Sequence, residues 1–219
     1  MSADDLKKTD RTRISRHPER GSWDRELARA ILDEGMVAHV ALAGDAGPMV
    51  LPMTYARIGD RLYLHGAVAS RWLSSFERGR AVRVCVTLLA GLMPARSACS
   101  HSMNYRSLVA FGTAVAVSDP NEKLAAFRAF LDHLLPGRWD DTRQPSRKEI
   151  AATTVLALDL EEASVKLRTG PPKDSAGDYA LSHWAGVIPL SLQAGPPQPD
   201  PAMGDPPAVP AYARDYRRG

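Results

Sequence analysis

The sequence predicts a mainly β fold, an antiparallel barrel of six to seven strands with flanking helices. Three observations predict it. Residues Ala81 to Leu89 alternate Val82, Val84 and Val86 against Arg83, Cys85 and Thr87, the period of two of a half-buried strand. Similar apolar, β-compatible runs recur along the chain, joined by turns too short for the helical crossovers that parallel strands need. No G-x-G-x-x-G occurs, so a doubly wound dinucleotide fold has no support.

The elements follow in order. Ser22 can cap a short helix whose apolar positions Trp23, Leu27, Ala30 and Ile31 share one face, and Gly35 stands where that helix stops. Met36 to Leu42 is the first strand, the GDAG at 44–47 a turn, and Pro48 to Arg57 the second strand. Ile58 to Arg61 turns the chain into a third strand at Leu62 to His65, and a brief helix is expected from Ser70 to Glu77. After Ala81 to Leu89 come strand candidates at Leu92 to Ala98 and Ser107 to Val117. Asp119, Pro120 and Glu122 form a well-made helix start, with Leu124, Phe127, Leu131 and Leu134 as the expected buried stripe and Pro136-Gly137 as the stop. Ser146 and Glu149 repeat the capping pattern, and Thr153 to Leu160 and Ser164 to Thr169 close the set.

Length and composition fit one domain with tails. The chain has 219 residues, 44% hydrophobic and 24% charged, which excludes a disordered chain, a collagen-like repeat and a polytopic membrane protein. A net charge of +3 is too small for a nucleic-acid footprint, and no nucleic-acid or membrane partner is expected. Cys85 and Cys99 are too few for a disulfide scaffold, so a reduced, cytoplasmic chain is the simplest reading. Residues 1–19 form a polar arm without the apolar stretch of a secretory signal, and residues 20–192 the folded unit. From Gln193 the chain holds seven of its 17 prolines and little to bury, which predicts an extended, largely disordered tail over 193–219.

Two segments carry candidate chemistry. In LHGAVASRW at 64–72 a strand ends at His65-Gly66 and a helix begins near Ser70-Arg71. Free N–H groups, a hydroxyl and a guanidinium there make a phosphate cradle that Gly66 lets a ligand approach. An ordinary strand–turn–helix junction capped by Ser70 fits the same residues. In HSMNYRSLVAFG at 101–112 polar groups crowd ahead of an apolar run, as a ligand site or as a hydrogen-bonded surface loop. A metal site has little behind it, since Cys99-Ser100-His101 lacks a second Cys/His cluster. Neither a CxxC pair nor a G-x-S-x-G elbow occurs, and mid-strand His39 reads as a core histidine.

In combination, MVLPMTYAR, LYLHGAVASRW, HSMNYRSLVAFG and the RTGPP at 168–172 resemble the flavin-binding split-barrel family of pyridoxamine 5'-phosphate oxidase-like proteins, nearest its nitroimidazole-resistance branch. The resemblance covers residues 11–190. It implies a homodimer with FMN at the subunit interface, small-molecule electron donors and acceptors, and an oxidoreductase reducing a nitro- or quinone-like acceptor with electrons from a reduced nicotinamide. By this resemblance Met53, Thr54 and Tyr55 lie along the flavin ring through backbone groups, His65 and Gly66 lie near the ribityl chain and phosphate, and Ser70 and Arg71 bind the phosphate. Asn104, Tyr105, Arg106 and Ser107 complete the site, and Trp184 matches an aromatic that packs near the flavin; a core tryptophan is the other reading of Trp184. One departure stands out. The AGVIPLSLQAG after Trp184 lacks the arginines that hold a second phosphate in true pyridoxamine phosphate oxidases, which argues against vitamin B6 oxidation. The alternatives are a non-catalytic flavin carrier or sensor, a relative binding haem through His65 or His101 or binding a deazaflavin, and a nucleic-acid binder using the basic tail.

Overall fold

The structure is a computed structural model and describes residues 5–44, 47–68, 81–205 and 207–218. The expected helix from Ser70 to Glu77 lies outside the described residues, as do Ser70 and Arg71 of the proposed cradle.

Two antiparallel sheets enclose the main core. The larger follows the order β1 (Gly21–Ser22), β10 (Glu162–Arg168), β7 (Ser102–Thr113), β6 (Ala81–Met93), β2 (Val37–Gly44), β3 (Gly47–Thr54), with β11 (Ile188–Pro189) added beside β6. The smaller follows β4 (Ala56–Ile58), β5 (Arg61–Ala67), β9 (Thr153–Asp159), β8 (Val115–Ala116). The arrangement is a split barrel, its sheet not closed. Val82, Val84 and Val86 of β6 point inward and are all but fully buried, as their alternation requires. The turn between β4 and β5 rests on Gly59, whose φ of 58° favours a residue without Cβ.

Alternation along β5 and β9 sorts their side chains between two cores. Leu62 and Leu64, with Leu156 and Leu158, face the barrel interior; Tyr63, with Val155 and Ala157, faces the helix α2 (Pro120–Leu134). Phe130 and Ala126 seal that second core. The stripe expected for α2 is therefore rotated: Leu124 is exposed and Ala126 and Phe130 are buried, because the helix turns its Phe130 face to the small sheet.

Three local expectations are corrected. The helix α1 (Arg25–Glu34) is capped by Asp24, which accepts from Leu27 N at 2.8 Å; Ser22 is held in β1 opposite Val165. No separate strand spans Leu92 to Ala98: β6 continues through a bulge near Ala90 to Met93, and Pro94, lacking an N–H, follows its end. The polar run from Ser102 to Ser107 is part of β7, paired with β6 and β10 on either side. The caps at Asp119 and Ser146–Glu149 form as read, the latter as a full capping box opening α3 (Arg147–Ala151).

The described parts of the N-terminal arm and of the tail are tied to the body. In the polar arm Leu6 is fully buried, its N–H donating to Trp23 O at 2.8 Å, and Trp23 Nε1 donates to Thr12 Oγ1 at 3.2 Å. After an irregular, proline-rich stretch the tail forms α4 (Ala211–Arg214), and its last residues pack on the body because Tyr212 and Arg218 find polar partners there. No helix among the described residues is long and apolar enough to cross a membrane.

Candidate functional site

A cavity of about 430 Å³ lies between the small sheet and α2. His65 and Thr54 contribute from β5 and β3, Phe127, Phe130, Leu131 and Leu134 from α2, and Trp139, Thr142 and Arg143 from the segment beyond it. The walls are mostly apolar. The His65 ring meets Phe130 edge-on with centroids 4.3 Å apart and Phe127 at 6.5 Å. His65 Nδ1 is buried and has no hydrogen-bond partner among the described residues, and burial pushes the imidazole pKa below its ordinary value. At neutral pH His65 is thus a neutral imidazole in an apolar pocket, the protonation state in which histidine ligates metals. At the rim Arg143 makes a two-pronged pair with Glu149 at 2.7 and 3.0 Å, which holds the Glu149 carboxyl well below the usual carboxylate range.

A second cavity of about 480 Å³ lies on the large sheet, lined by Glu34, Thr87 to Ala90, Arg106, Leu190 to Leu192 and Arg218. Arg106 Nη2 donates to Glu34 Oε1 at 2.6 Å. Beside it, Leu89, Leu92, Met103, Ile188 and Trp184 leave an apolar surface exposed, Trp184 with 66% of its area.

The residues predicted for one flavin site are distributed over these places. Thr54 and His65 line the first cavity, Gly66 follows in β5 opposite Thr154, and Arg106 lines the second cavity. Met53 packs against the barrel core. The Tyr55 side chain is fully buried: its hydroxyl donates to Leu32 O at 2.6 Å, and burial pushes its pKa well above that of an ordinary phenol, so only its backbone is free for a ligand. Asn104 donates to Gly170 O and accepts from the buried Arg168, both at 3.1 Å, and so pins the 168–172 turn. Ser107 Oγ donates to Lys166 O at 3.2 Å, and Tyr105 sits between Leu89 and Arg168 in the ladder. Of the two histidines considered for haem, His65 lies in a cavity while His101 is exposed, its Nδ1 bonded to Ser97 O at 3.0 Å. Sequence reasoning missed Phe130, Trp139 and Arg143. Phe130 had a signal, since it widens the apolar face of α2 beyond one stripe; Trp139 and Arg143 reach the cavity only through tertiary folding.

The sequence profile of the pyridoxamine 5'-phosphate oxidase family matches residues 24–167. The chain belongs to the pyridoxamine 5'-phosphate oxidase-like family. Among solved structures of this kind, the flavocytochrome Anf3 from Azotobacter vinelandii is 42% identical over 96% of this chain and 98% of its own, with a TM-score of 0.90. A FAD and haem binding protein from Mycobacterium smegmatis is 36% identical over 91% of this chain and 98% of its own, with a TM-score of 0.86. A Bacteroides thetaiotaomicron protein provisionally assigned to 5-nitroimidazole antibiotic resistance shares the fold at 22% identity and a TM-score of 0.56, over 65% of this chain and 83% of its own. None of the curated proteins matches.

The buried imidazoles of this family member set a pH dependence. Burial also lowers the pKa of His133, and the Arg218 charge adds to the effect. A depressed folded-state pKa makes the unfolded chain bind the extra proton first, so stability is full above the ordinary histidine value of 6.5 and is lost as pH falls through the lower folded values. Thermal melts of the cofactor-free protein are expected to show Tm falling from pH 7.5 to about pH 5, a window in which exposed carboxylates stay ionised. A flat profile there contradicts the assignment.

Proposed function

We propose that this chain is a flavin- and haem-binding oxidoreductase, with His65 the ligand to haem iron and the flavin held along the Arg106 face. The observation that carries this reading is the neutral His65 imidazole, with no partner at Nδ1 among the described residues, in an apolar cavity. Buried polar atoms in native folds have partners, so an imidazole left open in this way is available to a ligand. The residues present fit a porphyrin: aromatic and leucine walls for a flat apolar ring, one imidazole for the iron, and Arg143 at the rim as a cation for ring carboxylates. The full-length likeness to a flavocytochrome supports the same reading.

When bound, the flavin supplies hydride acceptance and the haem one-electron chemistry. The chain supplies the rest. Phe127, Phe130 and Leu131 give the cavity apolar walls, and His65 stays unprotonated there because burial disfavours its charged form. Glu34 holds the Arg106 guanidinium in place on the second cavity. This reading moves His65 from the flavin to the haem. It leaves Ser70 and Arg71 as the proposed phosphate residues, and Gly66, the backbone of Met53, Thr54 and Tyr55, and Asn104, Tyr105 and Ser107 as the other proposed flavin contacts. The Mycobacterium smegmatis relative favours FAD over the FMN expected from sequence. A second copy of the chain covers the apolar surface around Leu89, Leu92 and Trp184 and completes the flavin site, giving a homodimer. Reduced nicotinamide is the proposed donor and a small nitro- or quinone-like compound the acceptor. The free thiols of Cys85 and Cys99 accord with a reducing compartment, the cytoplasm.

The test is an absorption spectrum of the purified protein, with cofactors extracted and counted, followed by anaerobic addition of reduced nicotinamide. Flavin and haem in equal amounts, with the flavin bands bleaching and returning on addition of a quinone, are the expected result. Colourless protein that takes up neither haemin nor FAD nor FMN overturns the reading.

A further inference from the structure

The proline-rich tail ends against the outer side of the segment that walls the His65 cavity. Tyr212 of α4 lies over Gly137, where an added Cβ would sit 3.7 Å from Tyr212 Cβ. Its hydroxyl accepts from Arg138 Nη1 at 2.6 Å and donates to the Asp141 carboxylate. Arg138 caps and Asp141 ends the 3-10 turn Trp139–Asp141, and Trp139 between them faces the cavity. Tyr212 thus grips a side chain at each end of a single turn whose first residue is a cavity wall. The tail is anchored once more beyond this point. Arg218 donates to the carbonyls of Asp33, Glu34 and Gly35 at the end of α1 and to His133 O in α2, satisfying acceptors that a helix end leaves open. With its last residues fixed there, the tail cannot swing away without breaking this cap.

We infer that Tyr212 is a positioning residue that holds Trp139 in the wall of the His65 cavity, and that the C-terminal segment from 207 to 218 is a strap for that wall. Its consequence for haem retention rests on the reading proposed above. The cavity is open at the rim, and Trp139 stands on a three-residue turn held by backbone bonds from Asp141 N to Arg138 O and from Arg138 N to Leu135 O, both at 3.1 Å, and by Gln144 Nε2 donating to the Trp139 carbonyl at 3.2 Å. Charge-assisted bonds at both ends of such a short turn restrict it far more than they would a helix, which has its own ladder.

The test uses the full-length protein and Tyr212→Phe, which keeps the ring and removes the hydroxyl. Two quantities are read: haem release to an excess of apomyoglobin, and amide hydrogen exchange over residues 138–144 in the cofactor-free protein. Tyr212→Phe is expected to release haem roughly three- to tenfold faster, the size of one hydrogen-bond contribution, and to exchange faster over 138–144 while the strands keep wild-type protection. In a Trp139→Ala background the Tyr212→Phe effect on release is expected to vanish, since Tyr212 acts through Trp139. Release within twofold of wild type, or an undiminished effect in the Trp139→Ala background, overturns the inference. Should the wild type take up no haem, the haem reading fails by itself, and unchanged exchange over 138–144 is then the result that removes the strap.

Discussion

His65→Ala is expected to abolish stable haem uptake, with the Soret band lost and affinity lower by at least about a hundredfold, or ~2.7 kcal/mol. The described residues that line the cavity include no second histidine, cysteine or methionine. Phe127, Phe130, Leu131 and Leu134 offer no donor atom, Arg143 is a cation paired with Glu149, and His101 is exposed with Nδ1 already bonded to Ser97 O. The fold itself should tolerate the change. Removing the imidazole forfeits its contact with Phe130 but also removes a buried nitrogen without a partner among the described residues, and the two effects oppose each other. Titration with haemin, alongside a urea melt and flavin uptake, separates these outcomes. Wild-type Soret intensity in His65→Ala contradicts the assignment.

One residue earlier, the expectation reverses. Leu64→Ala is expected to cost about 2–5 kcal/mol of stability, read from the urea midpoint, while leaving haem affinity unchanged in protein that is still folded. Successive side chains of a strand point to opposite faces, so Leu64 enters the barrel core, where it is 1% exposed and pairs across the ladder with Leu156. Neighbours on both sheets surround it, and a vacated site of that kind collapses only in part, which is why the cost exceeds simple transfer of the lost methyl groups. A loss below about 1 kcal/mol would mean that β5 is not the central strand described. The pair of variants tests the fold and the site independently at adjacent positions.

Much of the barrel was legible because its signals are local. The valine alternation of β6, the Gly59 turn and the caps at Asp119 and Ser146 each depend on residues a few positions apart, and each forms as read. What escaped depends on partners distant in sequence. Ser102 to Ser107 reads as a polar loop until β6 and β10 pair with it. Asp24 displaces Ser22 as the cap because β10 recruits Ser22 into a strand. The tail reads as disordered because its composition buries little, yet Tyr212 and Arg218 meet Arg138, Asp141 and the end of α1 across the fold. The candidate site divides in the same way. His65 and Arg106 stand in motifs that can be picked out, whereas Phe130, Trp139 and Arg143 acquire meaning only when α2 and the segment after it close over β5.

The central claim is that His65 ligates haem in the cavity beneath α2. Its most direct test is a crystal structure of the haem-loaded protein with diffraction recorded on both sides of the iron absorption edge. One anomalous peak per chain is expected, at bonding distance from the His65 imidazole and enclosed by Phe127, Phe130 and Trp139. A peak beside His101, or anywhere outside this cavity, would contradict it.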